Sequence, residues 1–89
     1  MFPNDVQLLP QEESTKATFT GQLVMARGFI EKFSPNESQV AIQALVKIIG
    51  QRVESEEGAD YFQAAVFNGE KFWVIDDGSM VTYLLPEEY

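Results

Sequence analysis

The stretch YFQAAVFNGEKFWVIDDGSMVTYLL, residues 61–85, decides the fold of this chain. Tyr61–Phe67, Lys71–Asp76 and Ser79–Leu85 are rich in β-branched and aromatic residues. Asn68-Gly69 and Asp77-Gly78 separate them, and such pairs suit tight two-residue hairpin turns in which both residues take φ > 0. The pattern predicts a three-stranded antiparallel meander. A two-residue loop at Asn68-Gly69 sets Phe67 opposite Glu70, Ala65 opposite Phe72 and Gln63 opposite Val74. The same loop length at Asp77-Gly78 sets Asp76 opposite Ser79, Val74 opposite Val81 and Phe72 opposite Tyr83.

That register sorts the side chains into two faces. One carries Tyr61, Gln63, Ala65, Phe67, Phe72, Val74, Val81 and Tyr83; the other carries Phe62, Ala64, Val66, Trp73, Ile75, Met80, Thr82 and Leu84. Neither is polar, whereas an antiparallel sheet with one wet face alternates apolar with polar. Helices packed on one side leave the other apolar face in need of cover. Another chain is the first expectation, since large apolar patches on monomers mark contact surfaces. The alternative is the N-terminal segment, folding Phe2, Val6, Leu8 and Leu9 across it. The Trp73 face, with Phe62, Val66, Ile75 and Leu84, is expected to pack on the helices. Tyr61, Phe67, Phe72, Val74, Val81 and Tyr83 then form the partner surface, because tyrosine tolerates a wet rim.

Upstream, Ser34-Pro35-Asn36-Glu37 reads as a capping box with proline at the first helical position. The helix it starts should run from Pro35 to about Val53. Gln39, Gln43, Lys47, Gln51 and Glu54 make its narrow polar stripe, and the rest is apolar, which predicts burial from more than one side. Leu23, Ala26, Ile30 and Phe33 recur at helical spacing, so a first helix is expected over about Thr20–Phe33, weakened by Gly21 and Gly28, with Lys16–Thr20 as a short strand leading in. Residues 1–16, with Pro3 and Pro10, read as an irregular arm, tacked on by Val6, Leu8 and Leu9 as an edge piece. The expected architecture is one α+β domain over 1–89: arm 1–16, two helices within 20–53, and a meander at 61–85 on the central helix.

Composition narrows the chemistry. The 89 residues include no cysteine and no histidine, and the net charge is −8, from fourteen Asp and Glu against six Lys and Arg. Without cysteine there are no disulfides or thiolate metal sites, which fits a cytoplasmic location. Without histidine the commonest general base and metal ligand is missing, and Ser-His and Cys-His catalysis is excluded. Ser14 and Lys16 are the nearest Ser–Lys pair, on a spacing that carries little information. No glycine-rich phosphate loop, signal-peptide pattern or membrane-span-length apolar run is present. The charge repels phosphate backbones, so direct nucleic-acid binding is not expected. Trp73 and its neighbours lack the basic residues that surround base-stacking aromatics; only Lys71 lies in this sheet.

Two acidic clusters remain. Asp76-Asp77-Gly78-Ser79 reads as a turn and not as a calcium loop, which needs ligands at alternating positions and a distal Glu. Glu54, Glu56, Glu57 and Asp60 read as a solvated crossover. The closing segment, residues 71–89, is similar to the ends of small proteins of bacteria and mobile elements, but it has no defined motif and no site is transferred from it. The expected function is a non-catalytic protein–protein interaction module without cofactor or metal, binding a partner or itself as a homodimer. An inhibitor that imitates nucleic acid to block a basic protein is the first alternative. A small ligand-binding domain or enzyme using carboxylates is the second.

Overall fold

A computed structural model describes residues 6–89. The class is α+β: one long helix lies against a mixed five-stranded sheet. In chain order the elements are β1 (Gln7–Leu8), β2 (Gln22–Met25), α1 (Arg27–Glu54), β3 (Phe62–Phe67), β4 (Glu70–Asp76), β5 (Met80–Leu84) and a 3-10 turn at Pro86–Glu88. The sheet order is β1-β3-β4-β5-β2, antiparallel except where β2 runs parallel to β5.

The two-helix, three-strand expectation is therefore corrected at several points. Gln22–Met25 is not helix but an edge strand, pairing Leu23 with Val81 and Met25 with Tyr83. The free edge of β5 offers a ladder of backbone partners, and Gly21 lets the chain approach it: a Cβ there would lie 2.6 Å from the Ser79 carbonyl oxygen. The remainder of the expected first helix, from Arg27, continues into the second. Ser34 interrupts them with φ 65 and ψ 159, just before Pro35. A residue preceding proline is disfavoured in the helical region, and the break falls there. The Ser34 hydroxyl still accepts from the Glu37 N–H at 3.3 Å.

The arm is also more ordered than expected. Gln7 and Leu8 pair antiparallel with Val66 and Ala65, and the Leu9 N–H donates to the Ala64 carbonyl at 2.9 Å. The chain then crosses the strand ends toward the opposite edge. Ala17 donates to the Ala59 carbonyl, and the Phe19 N–H donates to an Asp76 carboxylate oxygen, both at 2.9 Å. The strand expected over Lys16–Thr20 reduces to this single bridge at Ala17. Val6 and Leu8 join the core on the helix side, so they do not cover the second sheet face. Phe2 lies outside the described residues.

The first hairpin keeps the expected register, with Phe67 opposite Glu70 and Gln63 opposite Val74. The second is shifted by two residues: Val74 faces Tyr83, and Asp76 faces Val81. The Asp77 side chain explains this. Its Oδ1 accepts from the N–H groups of Ser79 and Met80 at 2.9 and 2.8 Å, leaving Gly78 and Ser79 as the central pair. Gly78 takes φ +96 there, a value only glycine adopts readily. A two-residue shift preserves the side on which each residue points.

The helix buries one stripe, Phe29, Phe33, Ser38, Ala41, Leu45 and Ile49, and not most of its circumference. Val40 and Val46 remain exposed. This stripe packs on Ala65, Phe67, Phe72, Val74, Val81 and Tyr83. Phe29 sits at the centre, with ring centroids 5.1 Å from Phe72, 5.8 Å from Tyr83 and 5.0 Å from Phe33. Edge and tilted arrangements of this kind are favoured by the ring quadrupoles. The inner face is thus the tyrosine-bearing one, opposite to the expected orientation.

Candidate functional site: the open sheet face and its acidic margin

Five of the six residues expected at a partner surface, Phe67, Phe72, Val74, Val81 and Tyr83, lie in the core beneath α1. Only Tyr61, just before β3, is exposed. Burial pushes the Tyr83 hydroxyl up to a pKa of about 12. The face left without a helix carries Phe62, Ala64, Val66, Trp73, Ile75 and Thr82, all partly exposed, with Met80 exposed at its end.

Phe62 and Trp73 form the aromatic centre of this face, with centroids 4.9 Å apart. Tyr89 meets Trp73 in a T-shaped arrangement with centroids 5.5 Å apart, and Tyr61 meets Phe62 at 6.4 Å. The terminal turn brings Tyr89 there. Pro86 starts it, and the Glu88 carboxylate accepts from the Leu85 N–H at 2.9 Å. The same carboxylate accepts from the Gly28 N–H at the start of α1.

The residues before β3 and the arm beside it build a partly buried polar network. Arg52, in the last turn of α1, donates to the Leu9 carbonyl at 3.0 Å and to Gln63 Oε1 at 2.6 Å. Gln63 Nε2 donates to Gln11 Oε1 and to the Asp60 carbonyl. Gln11 Oε1 also accepts from the Asp60 N–H, and Gln11 Nε2 donates to the Gly58 carbonyl at 2.8 Å. Asp60, expected in a solvated crossover, is only 9% exposed, while Glu54, Glu56 and Glu57 are exposed as expected. Its Oδ1 is buried without a hydrogen-bond partner. The available signal was Gln63: a polar residue on an apolar strand face needs buried partners.

A cavity of about 330 Å³ opens where this network meets the outer face, lined by Pro10, Gln11, Glu12, Glu13, Asp60, Phe62, Gln63 and Ala64. The apolar face therefore has an acidic margin along the β3 side.

The other candidate clusters are structural. Asp76 Oδ1 accepts from the Gly78 N–H, and Asp76 Oδ2 accepts from Phe19. The N–H groups of Met80 and Ser79 hold the Asp77 carboxyl below the usual carboxylate range. Lys16 does not face Ser14 with its amine; Nζ donates to the Glu56 carbonyl at 3.1 Å. Among the described residues, no three Asp or Glu side chains are arranged to share a metal ion, and no helix is long and apolar enough to cross a membrane. No family model, curated protein or solved structure matches this chain.

Proposed function

We propose that this chain is a non-catalytic protein–protein interaction module that docks another chain on the open face of its sheet. The observation that carries this reading is the face around Trp73, apolar and aromatic yet uncovered by α1. Aromatic residues are enriched at the energetic centres of interfaces, and a contiguous apolar patch is rare on a surface that binds nothing. The acidic margin at Glu12 and Glu13, in a chain of net charge −8, complements a partner that carries positive charge around an apolar centre. A nucleic acid lacks that complementarity, since its phosphates would meet carboxylates.

Site-specific photo-crosslinking in cells that make the protein tests this reading. A benzophenone side chain placed at Ile75, on the open face, should give a discrete heavier adduct. The same group at Gln43, on the exposed side of α1, should not. An adduct of twice the chain mass from position 75 identifies the docked chain as a second copy. Adducts from position 43 alone, or from neither position, contradict the proposal.

A further inference from the structure

We infer that β2 is an open strand edge on which a second copy of this chain pairs, β2 against β2, antiparallel about a two-fold axis through Val24. This edge lies apart from Trp73, which is on β4 with β5 between, and the pairing stands without a partner on the Trp73 face.

β2 ends the sheet order, so among the described residues no strand lies beyond it. Its inner side is fixed by β5: the N–H groups of Gln22 and Ala26 donate to the carbonyls of Ser79 and Tyr83 at 3.2 and 2.9 Å. Along a strand the backbone groups of successive residues point to alternate sides. Those of Leu23 and Met25 therefore point away from β5. Such a row of free donors and acceptors is the chemistry that takes an extended peptide. Protected edges carry charge, proline or a bulge, or are very short. The opposite edge is of that kind, since β1 has 2 residues and Pro10 follows it closely. β2 pairs with β5 without interruption, and no charged residue occurs from Ala17 to Ala26.

Symmetry and charge make the occupant a second copy. Leu23 and Met25 flank Val24, so a two-fold axis there sets Leu23 of each copy opposite Met25 of the other. All of these residues point their backbone groups outward, so every outward N–H of β2 meets a carbonyl, as at the hydrogen-bonded positions of an antiparallel ladder. The side chains agree. Leu23 and Met25 pair with Val81 and Tyr83, which puts them on the helix side, yet they remain 40% and 38% exposed. Each borders a cavity beside α1: Leu23 with Val46, Ile49 and Gly50, and Met25 with Ile30 and Ile42. Pairing lays apolar side chains against that exposed apolar surface. A second copy also brings its own net charge of −8, and like-charge repulsion is least where the edge carries no carboxylate. A basic strand finds no acidic group on β2 to complement. The contact is isologous, and the blunted β1 edge gives the sheet no second place to grow, so association stops at the dimer. The edge is short, which makes the dimer weak beside interfaces of standard size.

Sedimentation velocity of the whole chain, from micromolar to millimolar concentration, tests the pairing. The wild type should pass from monomer to dimer and go no further. Val24 pairs with Thr82 and is half-buried on the open face, where the two-fold sets it against its own copy. Val24→Lys and Val24→Glu should each weaken the dimer by about fivefold or more, because like charges then sit directly opposite. An equimolar mixture of the two variants should recover it. Amide exchange read by NMR on the wild type needs no variant and covers the case in which either substitution disturbs folding. The Leu23 and Met25 amides should exchange fast in the dilute chain and slow as concentration rises, while those of Gln22 and Ala26 are protected throughout. A wild type that stays monomeric over the whole range overturns the inference. So does a dimer whose Leu23 and Met25 amides gain no protection, or one of equal strength in folded Val24→Lys and Val24→Glu. Absence of a crosslink from Ile75, on β4 with β5 between it and β2, would sink the docking face and leave the edge pairing in place.

Discussion

Glu88 caps the start of α1 from the far end of the chain, its carboxylate accepting the N–H of Gly28. The helix has no side-chain cap of its own, since Ala26 occupies the N-cap position, and it has no acidic residue in its first turn. A carboxylate there satisfies an orphan donor and is favoured by the helix dipole. The same group binds Leu85 and holds the turn that delivers Tyr89 to Trp73. Glu88→Ala should lower stability by about 1 kcal/mol. In urea titrations Glu88→Gln should lose less than Glu88→Ala, because it keeps an acceptor. The emission of Trp73 should also change in Glu88→Ala before global unfolding, as Tyr89 departs.

The two sheet faces should differ sharply in their response to truncation. Phe72 is fully buried under Phe29 and Phe33. Phe72→Ala should cost about 3 to 5 kcal/mol, a large share of a small domain's stability. Phe62→Ala, on the open face, should cost roughly 1 kcal/mol, since only part of its surface is buried. Equal losses measured by urea denaturation would place the core wrongly.

Attachment of β2 depends on the bare backbone at Gly21. A methyl group there meets the Ser79 carbonyl at 2.6 Å, so Gly21→Ala must push the strands apart. A destabilisation of about 1 to 3 kcal/mol is expected for such overpacking. Hydrogen exchange should accelerate first at the Gln22 and Ala26 amides, which donate to Ser79 and Tyr83, while amides of β3 and β4 keep their protection.

Stability at high pH should report Tyr83. Its folded pKa is raised from 10 to about 12 by burial. The neutral phenol is thus favoured by folding, and the contribution is complete below the unfolded value. It is lost as pH rises from 10 through 12, because the unfolded chain ionises first. Two pKa units correspond to roughly 2 to 3 kcal/mol. Tyr83→Phe should flatten this part of the stability profile; a slope that persists unchanged would assign it to another group.

Much of the sheet is legible in the sequence because period-two patterning and turn residues act locally. The partition of side chains between the two faces survives even the shift of the second hairpin, since a slip of two preserves it. The slip itself comes from Asp77 using its carboxylate as a cap, which the Asp-Gly pair alone does not reveal. Which face the helix covers is not legible, because both are apolar. The core aromatics Phe29 and Phe33 select the Phe72–Tyr83 side through contacts distant in sequence. Leu23 and Met25 fit a helix and a strand equally well, and the open edge of β5 decides between them. Asp60 reads as solvated because its neighbours are acidic and exposed, yet Gln11, brought from the arm, and Gln63 draw it inward.

Trp73 is the sole tryptophan, so acrylamide quenching of the dilute chain reads the open face directly. Emission should be that of a partly solvated indole, quenched well before unfolding and shielded when a chain docks on the face. A blue-shifted indole, as inaccessible at high dilution as one in a closed core, would mean that the face is already covered within the monomer and would contradict the account.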